Sequence, residues 1–318
     1  MKRSIFLVSL LSTLLFSSSQ AEIAERPSSA IKCRFSFVGC NRVDFDVDQD
    51  INPSTANVGQ LKATFRNLAK LKSKPSHFFF LGDLILGYTS GLDTVEQLQA
   101  WRALYEKSRL SRSGVTLVPV VGNHETLLSY KDEAGSWHDY PNPAAIFAWE
   151  DVMKPFLDWH DGPQTTAPND DQLTISQEVL SFTVREHNIL FIILNTDTFV
   201  DNLTLGDIPL HWLQQKLDEG EADKTVEHIF VMGHKPLSEV EYKTTLVRDG
   251  ERQNAENMLA ANPKVRAYLA AHYHLWDFRR LSSGLLQITA GNGGSKLKGS
   301  FKNPEVGYYG YTLSLIHI

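Results

Sequence analysis

Apolar positions along this chain follow two periods, one of about two residues and one of three to four. From Cys33 to Gly39 polar and apolar residues alternate and run into Phe35, Phe37 and Val38, as in a half-buried strand. Val58, Leu61, Phe65, Leu68 and Leu71 then recur at helical spacing, and Pro75 closes that helix. His77–Leu81 is a continuous apolar run, expected to be a strand buried on both faces. The spacing predicts a second helix over 92–110, with Val95, Leu98, Trp101 and Tyr105 on one stripe, and another buried strand at Val115–Val121. Residues 141–175 divide into a helix, Ala144–Trp159, and a polar loop. Further strands are predicted at Val179–Arg185, Ile189–Leu194, His228–Met232, Val265–Ala271, Trp276–Leu281 and Leu285–Thr289, with helices at Pro209–Glu219 and near Ala255–Ala261. Tyr308–Ile318 starts like a strand and stops without a polar cap, which leaves a truncated C-terminus open. Strand–helix alternation in the first half and clustered strands in the second predict a single domain of layered sheets with helices outside.

Composition narrows the class. The 318 residues are 42% apolar and 21% charged, enough for a large core and unlike disordered, collagenous or multi-pass membrane chains. A net charge of −6 lacks the basic excess of a duplex nucleic-acid binder. Two cysteines exclude a disulfide scaffold. Lys2 and Arg3 precede an apolar run, Ile5–Phe16, that is shorter than the ~20 residues of a membrane span. Ser19-Gln20-Ala21 follows with the small residues of a signal-peptidase site. Residues 1–21 are therefore expected to be a cleaved signal peptide. The remainder, 22–318, would be a secreted or periplasmic domain with no membrane anchor.

The candidate chemistry lies where strands end. Five predicted strands stop in turns that deliver polar or metal-seeking side chains: Gly39-Cys40-Asn41-Arg42, Gly82-Asp83, Gly122-Asn123-His124-Glu125, Gly233-His234-Lys235-Pro236 and Ala271-His272-Tyr273-His274. Each turn alone is weak, since Gly-Asp is an ordinary turn former. Their recurrence is not, because a buried strand running into glycine lets the backbone turn sharply at a site. His-x-His after a strand also points both imidazoles the same way.

In this order the blocks strand-Gly-Asp, strand-Gly-Asn-His-Glu, strand-Gly-His-x-Pro and His-x-His resemble the calcineurin-like metallophosphoesterases. The likeness runs from Phe35 to about Gly294. Asn195-Thr196-Asp197 and Leu210-His211-Trp212-Leu213 are similar to the secreted purple-acid-phosphatase-like and PhoD-like branches. The resemblance implies an α/β (α+β) fold, a four-layer αββα sandwich of two packed β-sheets flanked by helices. It also implies two metal ions ~3.5–4 Å apart, with Asp83 bridging them. Asn123, His234 and His272 would complete the second site, and His274 would bind the first. His124 would act on the leaving-group oxygen as a general acid or transition-state stabiliser, and Asn123 and His124 would touch the substrate. Such a pair of cations neutralises phosphoryl oxygens and makes a metal-bound hydroxide available near neutral pH. The mixed carboxylate, amide and imidazole set suits Fe, Mn or Zn, with Ca also admissible. The implied substrate is a small phosphate monoester or diester.

One block departs from the family. Its usual first motif is Asp-x-His, and here Cys40-Asn41-Arg42 stands in that place. Arginine stays protonated and cannot ligate a metal. Cys40 lies too far along its strand from Cys33 for a disulfide. It is either a thiolate ligand of the first metal, as the likeness to PhoD-like enzymes implies, or a small buried apolar residue. Arg42 either meets substrate phosphate in a bidentate manner or pairs with Asp44 or Asp46. The tyrosine of the purple enzymes is displaced: Leu86 holds its position and Tyr88 follows two residues late. An alternative function therefore stands beside the hydrolase, a non-catalytic metal-binding module with a degenerate first site. The intact His124 argues against it, and no Gly-x-Ser-x-Gly elbow supports a serine hydrolase.

Three further features carry less. The alternating Asp44, Asp46, Asp48 and Asp50 lack the glycine and closing glutamate of a calcium loop. Trp137, His138, Tyr140, Trp149, Trp159 and His160 form either a lid that stacks a base or sugar, or ordinary core. Gly291-Asn292-Gly293-Gly294-Ser295-Lys296 fails the P-loop spacing and reads as a turn beside the site. Asn202-Leu203-Thr204 is a glycosylation sequon, relevant only in a eukaryotic secretory route.

Overall fold

The computed structural model describes residues 6–9, 31–43, 52–89, 91–198, 207–238, 249–297 and 308–317. The first sheet contains β1 (Phe6–Ser9), β2 (Ile31–Val38), β3 (His77–Leu81), β4 (Thr116–Val120) and β13 (Thr312–His317), in the order β1-β13-β2-β3-β4. Strands β2, β3 and β4 run parallel, and β13 is antiparallel to β2. The second sheet contains β7 (Phe182–Glu186), β8 (Ile189–Leu194), β9 (His228–Gly233), β10 (Val265–Ala270), β11 (Trp276–Arg280) and β12 (Leu286–Ala290), in the order β11-β12-β10-β9-β8-β7. Its centre, β8 to β10 and β12, is parallel and its edges are antiparallel.

Alternation along each strand sorts the side chains into layers. Phe35 and Phe37 of β2 and Phe79 and Leu81 of β3 face Phe191, Phe230, Met232 and Leu269 of the second sheet. Phe35 meets Phe191 at 4.9 Å and Phe230 at 5.1 Å, both edge-on, the favoured aromatic geometry. The intervening Phe78 and Phe80 face the opposite way, toward Phe65 and Trp101 of α1 (Val58–Lys70) and α2 (Gly91–Glu106) and toward Trp149 of α4 (Pro143–Met153). On the far side Ile192, Val231 and Tyr268 pack against Trp212 and Leu259 of α5 (Leu210–Ala222) and α6 (Asp249–Ala261). Helices, sheet, sheet, helices is the four-layer sandwich that the sequence implies.

Boundaries differ in places with physical causes. The helix expected over 144–159 stops at Met153, because Pro155 has no amide hydrogen to continue it. Trp159 lies beyond the helix and stacks on Phe182 at 5.3 Å and 5°. The stretch after α3 (Asn123–Thr126), to which the sequence assigns no element, is a hairpin, β5 (Leu127–Lys131) with β6 (Trp137–Pro141). Most of the expected leader, the Asp44–Asp50 run and the Asn202 sequon lie outside the described residues; Phe6–Ser9 pairs with β13. Among the described residues no helix is long and apolar enough to cross a membrane.

Candidate metal centre

The five strand ends meet at one edge of the sandwich. Cys40 and Asn41 donate their amides to the carbonyls of Gly82 and Asp83, at 2.9 and 2.8 Å, so the β2 and β3 turns lock together. Ala271 donates to His234 O at 2.9 Å and joins the β10 turn to the β9 turn. Cys40, Asp83 and His272 adopt left-handed backbone, with φ of 60°, 56° and 62°. Non-glycine residues hold that conformation only where surroundings enforce it, and such strain concentrates at functional sites. Gly122 is required by crowding: a Cβ there would lie 2.7 Å from both the amide nitrogen and Oδ1 of Asp83.

From Asp83 Oδ1 four candidate ligand atoms follow one another at close spacing. His234 Nε2 lies 3.1 Å from Asp83 Oδ1, His272 Nδ1 lies 3.1 Å from His234 Nε2, and Asn123 Oδ1 lies 3.0 Å from His272 Nδ1. Ligands bound at ~2.0–2.2 Å around a single cation stand ~3 Å from one another, so this spacing fits an ion. Asp83 Oδ1 is buried beside the His234 imidazole, an acceptor with a lone pair to spare for a cation. His234 donates Nδ1–H to Leu81 O at 2.7 Å, which fixes the ring with Nε2 facing the cluster. Burial opposes the charge on Asp83, yet His234, His124 and Arg42 hold its carboxyl well below the ordinary range. Burial likewise lowers His234, but Asp83 outweighs it and raises the imidazole. Burial, with His234 and Lys235 nearby, holds His272 well below its usual value, neutral and fit to ligate.

The other side of Asp83 is different. Arg42 Nε lies 3.8 Å and His124 Nε2 4.0 Å from Asp83 Oδ2. Cys40 Sγ falls with an Asp83 oxygen and a His234 nitrogen in a group whose atoms lie within 4.8 Å of one another, all three residues buried. Its thiol is pushed well above the ordinary range by burial and by Asp83. A cation beside it would have to displace that proton. His274 hydrogen-bonds through Nδ1 to Lys296 O at 2.9 Å and stands outside the Cys40–Asp83–His234 group. Both cysteines are free. Arg42 faces Asp83, while Asp44 and Asp46, its expected alternative partners, lie outside the described residues. Its Nε is buried with no hydrogen bond, a charged donor available to an anion.

His124 hydrogen-bonds through Nδ1 to Leu86 O, so Nε2 faces the centre. Burial first, then Arg42 and His234 against the opposing pull of Asp83, lowers His124 to about 3. The neutral ring is thus the resting form.

Three supporting residues carry no assigned role in the sequence reading. Glu125, fully buried, accepts from the amides of Gly122 (2.8 Å), Asp83 (3.0 Å), Leu84 (2.7 Å) and Ile85 (3.2 Å). Burial and Asp83 push it up to about 7, against those donors, which favour the carboxylate. Tyr88 accepts a hydrogen bond from Asn123 Nδ2, turning Asn123 Oδ1 toward His272, and its ring lies 4.1 Å from that of His124. Lys235, next to His234, is buried in an ion pair with Asp197. Their neighbours in the strand-end motifs were the available signals; the pairings join residues far apart in sequence. The 291–296 loop closes on the β2 turn, with Gly293 accepting from Asn41 Nδ2 at 2.8 Å, and is a turn rather than a phosphate loop.

The calcineurin-like phosphoesterase family profile matches residues 50–275. The chain belongs to that family. The match begins after Cys40-Asn41-Arg42, the block that departs from the family pattern, and takes in every other strand-end motif. Among solved structures, a dimetal phosphatase from Danio rerio superposes with a TM-score of 0.53 at 13% identity, over 81% of this chain and 87% of that one. PhoD superposes with a TM-score of 0.54 at 12% identity, over 90% of this chain and 64% of that one. These likenesses are of fold. No curated protein sequence matches the chain.

Proposed function

We infer that this chain is an exported metal-dependent phosphoesterase, hydrolysing small phosphate monoesters or diesters at the Asp83 centre. The observation that carries this reading is the succession Asp83 Oδ1, His234 Nε2, His272 Nδ1 and Asn123 Oδ1, each 3.0–3.1 Å from the next. These residues would hold one metal ion; Cys40 and His274, sharing Asp83, would hold the other. A dimetal phosphatase among the fold neighbours supports a pair of ions. The ions, of the Fe, Mn or Zn type, would supply positive charge for the phosphoryl oxygens and acidify a water.

The chain's own residues do the rest. Arg42 offers Nε, which makes no hydrogen bond, to a phosphoryl oxygen, with charge matched to the anion. Asp83 takes no proton, since its neighbours stabilise the anion. His124 is held by Leu86 O with Nε2 toward the centre, placed to meet the leaving-group oxygen. An anionic phosphate beside it favours the imidazolium, and that proton at Nε2 is the one delivered to the departing alkoxide. Residues 1–21 would be removed on export, and N-terminal sequencing of the exported protein tests that. One observation favours the non-catalytic alternative: a guanidinium stands beside Asp83 Oδ2, where a first metal would share the carboxylate.

The test is p-nitrophenol release from monoester and diester substrates by residues 22–318, in Mn, Fe, Zn, Ca and chelator, with His124→Ala alongside. Turnover that requires metal and falls ~10²-fold or more in His124→Ala is expected. A folded protein that binds metal and hydrolyses nothing would instead be the binding module.

A further inference from the structure

The β5–β6 hairpin leaves Asn123–Thr126 directly and carries aromatic side chains that the metal chemistry does not use. Leu128 stands opposite Tyr140 and Tyr130 opposite His138, so these four side chains share one face. Their rings touch: Tyr130 and His138 are stacked at 5.2 Å and 24°, and Tyr130 meets Tyr140 edge-on at 5.6 Å. Tyr130 is 48% exposed, one of few large apolar side chains so open among the described residues. His138 is fixed in place by a 2.8 Å hydrogen bond between Nε2 and Asp132, itself held by the amide of Ser136 in the hairpin turn. A rigid, open cluster of flat rings is an unfavourable surface to leave in water unless something covers it.

The cluster is continuous with the metal centre. Leu128 pairs with Tyr88 in an isolated parallel bridge, and the Tyr88 ring lies 4.1 Å from His124. The hairpin therefore adjoins Tyr88 at Leu128, opposite Tyr140, and Tyr130 and His138 stand one rung further out, ~7 Å along the strand. The rings carry polar edges, phenol hydroxyls and an imidazole, which suit a planar heterocycle better than an alkyl chain.

We propose that this face binds the base of a nucleotide whose phosphate sits at the Asp83 centre. The proposal rests on the phosphoesterase reading for the phosphate end and adds the class of group beyond it. Stacking supplies the attraction, and the exposure of Tyr130 makes the site tolerant of which base it takes.

The experiment measures dissociation constants of the metal-loaded full chain for two non-hydrolysable ligands, a nucleoside 5′-phosphonate and the matching ribose phosphonate without a base. The base-bearing ligand is expected to bind roughly 5- to 50-fold tighter. That ratio falls toward one in the Tyr130→Ala/Tyr140→Ala double variant and persists in Tyr130→Phe. Saturation-transfer NMR on the wild-type chain gives a second readout, with magnetisation passing from aromatic side chains to base protons. A wild-type ratio of one without such transfer, or a ratio unchanged in a folded double variant, overturns the proposal. An intact, tyrosine-dependent ratio with no ester hydrolysis would keep the base site and retire the hydrolase. Hydrolysis with a ratio of one would do the reverse.

Discussion

The two oxygens of Asp83 face unlike surroundings. Around Oδ1 stand an amide and two imidazoles, each delivered by the end of a different strand and each oriented by a fixed partner or by burial. Around Oδ2 stand a guanidinium and a neutral imidazole, while a buried thiol that holds its proton lies within 4.8 Å of an Asp83 oxygen and a His234 nitrogen. The first side is a set of lone pairs suited to a cation. The second already contains one, on Arg42. The lesson is that the two oxygens of a single buried carboxylate can face opposite chemistry, imidazole and amide lone pairs on one and a guanidinium on the other. Asp83 manages this because its left-handed backbone follows Gly82 at φ 80° and both are clamped by Glu125 or by the β2 turn.

The strongest way to break this comparison is to remove the shared carboxylate. Asp83→Ala should abolish bound metal, read by elemental analysis, and lower hydrolysis ~10³-fold or more, since metal assistance is worth several kcal/mol. His124→Ala separates the sides. It should cost ~10²–10⁴-fold in kcat while bound metal stays unchanged. Retained kcat would remove His124 from the chemistry.

Glu125→Ala attacks the turn rather than the ions. Leaving the four amide donors without their acceptor should destabilise the chain by about 3–5 kcal/mol in denaturant unfolding. A loss below ~1 kcal/mol would show that water replaces the carboxylate there. The smallest effect belongs to Tyr88→Phe, which deletes the acceptor for Asn123 Nδ2. Metal affinity on the Oδ1 side should fall about 10-fold, as for other groups that orient ligands. Cys40→Ser sharpens the contrast in another way: bound metal should drop from two equivalents to one, and two equivalents retained would make Cys40 a packing residue.

The Oδ1 side was legible in the sequence because each ligand follows a buried strand and a glycine or alanine, as in Gly122-Asn123 and Ala271-His272. The sandwich was legible for the same reason, since the Phe78–Leu81 stretch of β3 is apolar at every position and the strand is buried on both faces. The Oδ2 side was not. Arg42 breaks the family pattern, and its place beside Asp83 depends on a backbone pairing between turns some forty residues apart. Glu125 gave no sign that it clamps amides on the β3 turn. The hairpin was missed because Trp137, His138 and Tyr140 read equally as lid or core; only the register of Tyr130 with His138 and of Leu128 with Tyr140 shows that His138 and Tyr140 share a face.

The most direct test of the account is a metal titration of the chelator-stripped chain, following bound equivalents and p-nitrophenyl phosphate hydrolysis together, in the wild type and in His272→Ala. Activity should rise with metal in the wild type, and both binding and activity should be weakened ~10²-fold or more in His272→Ala. Hydrolysis by the stripped chain, or a His272→Ala variant that binds metal and turns over like the wild type, would contradict the claim that the Asp83 Oδ1 cluster holds the catalytic ion.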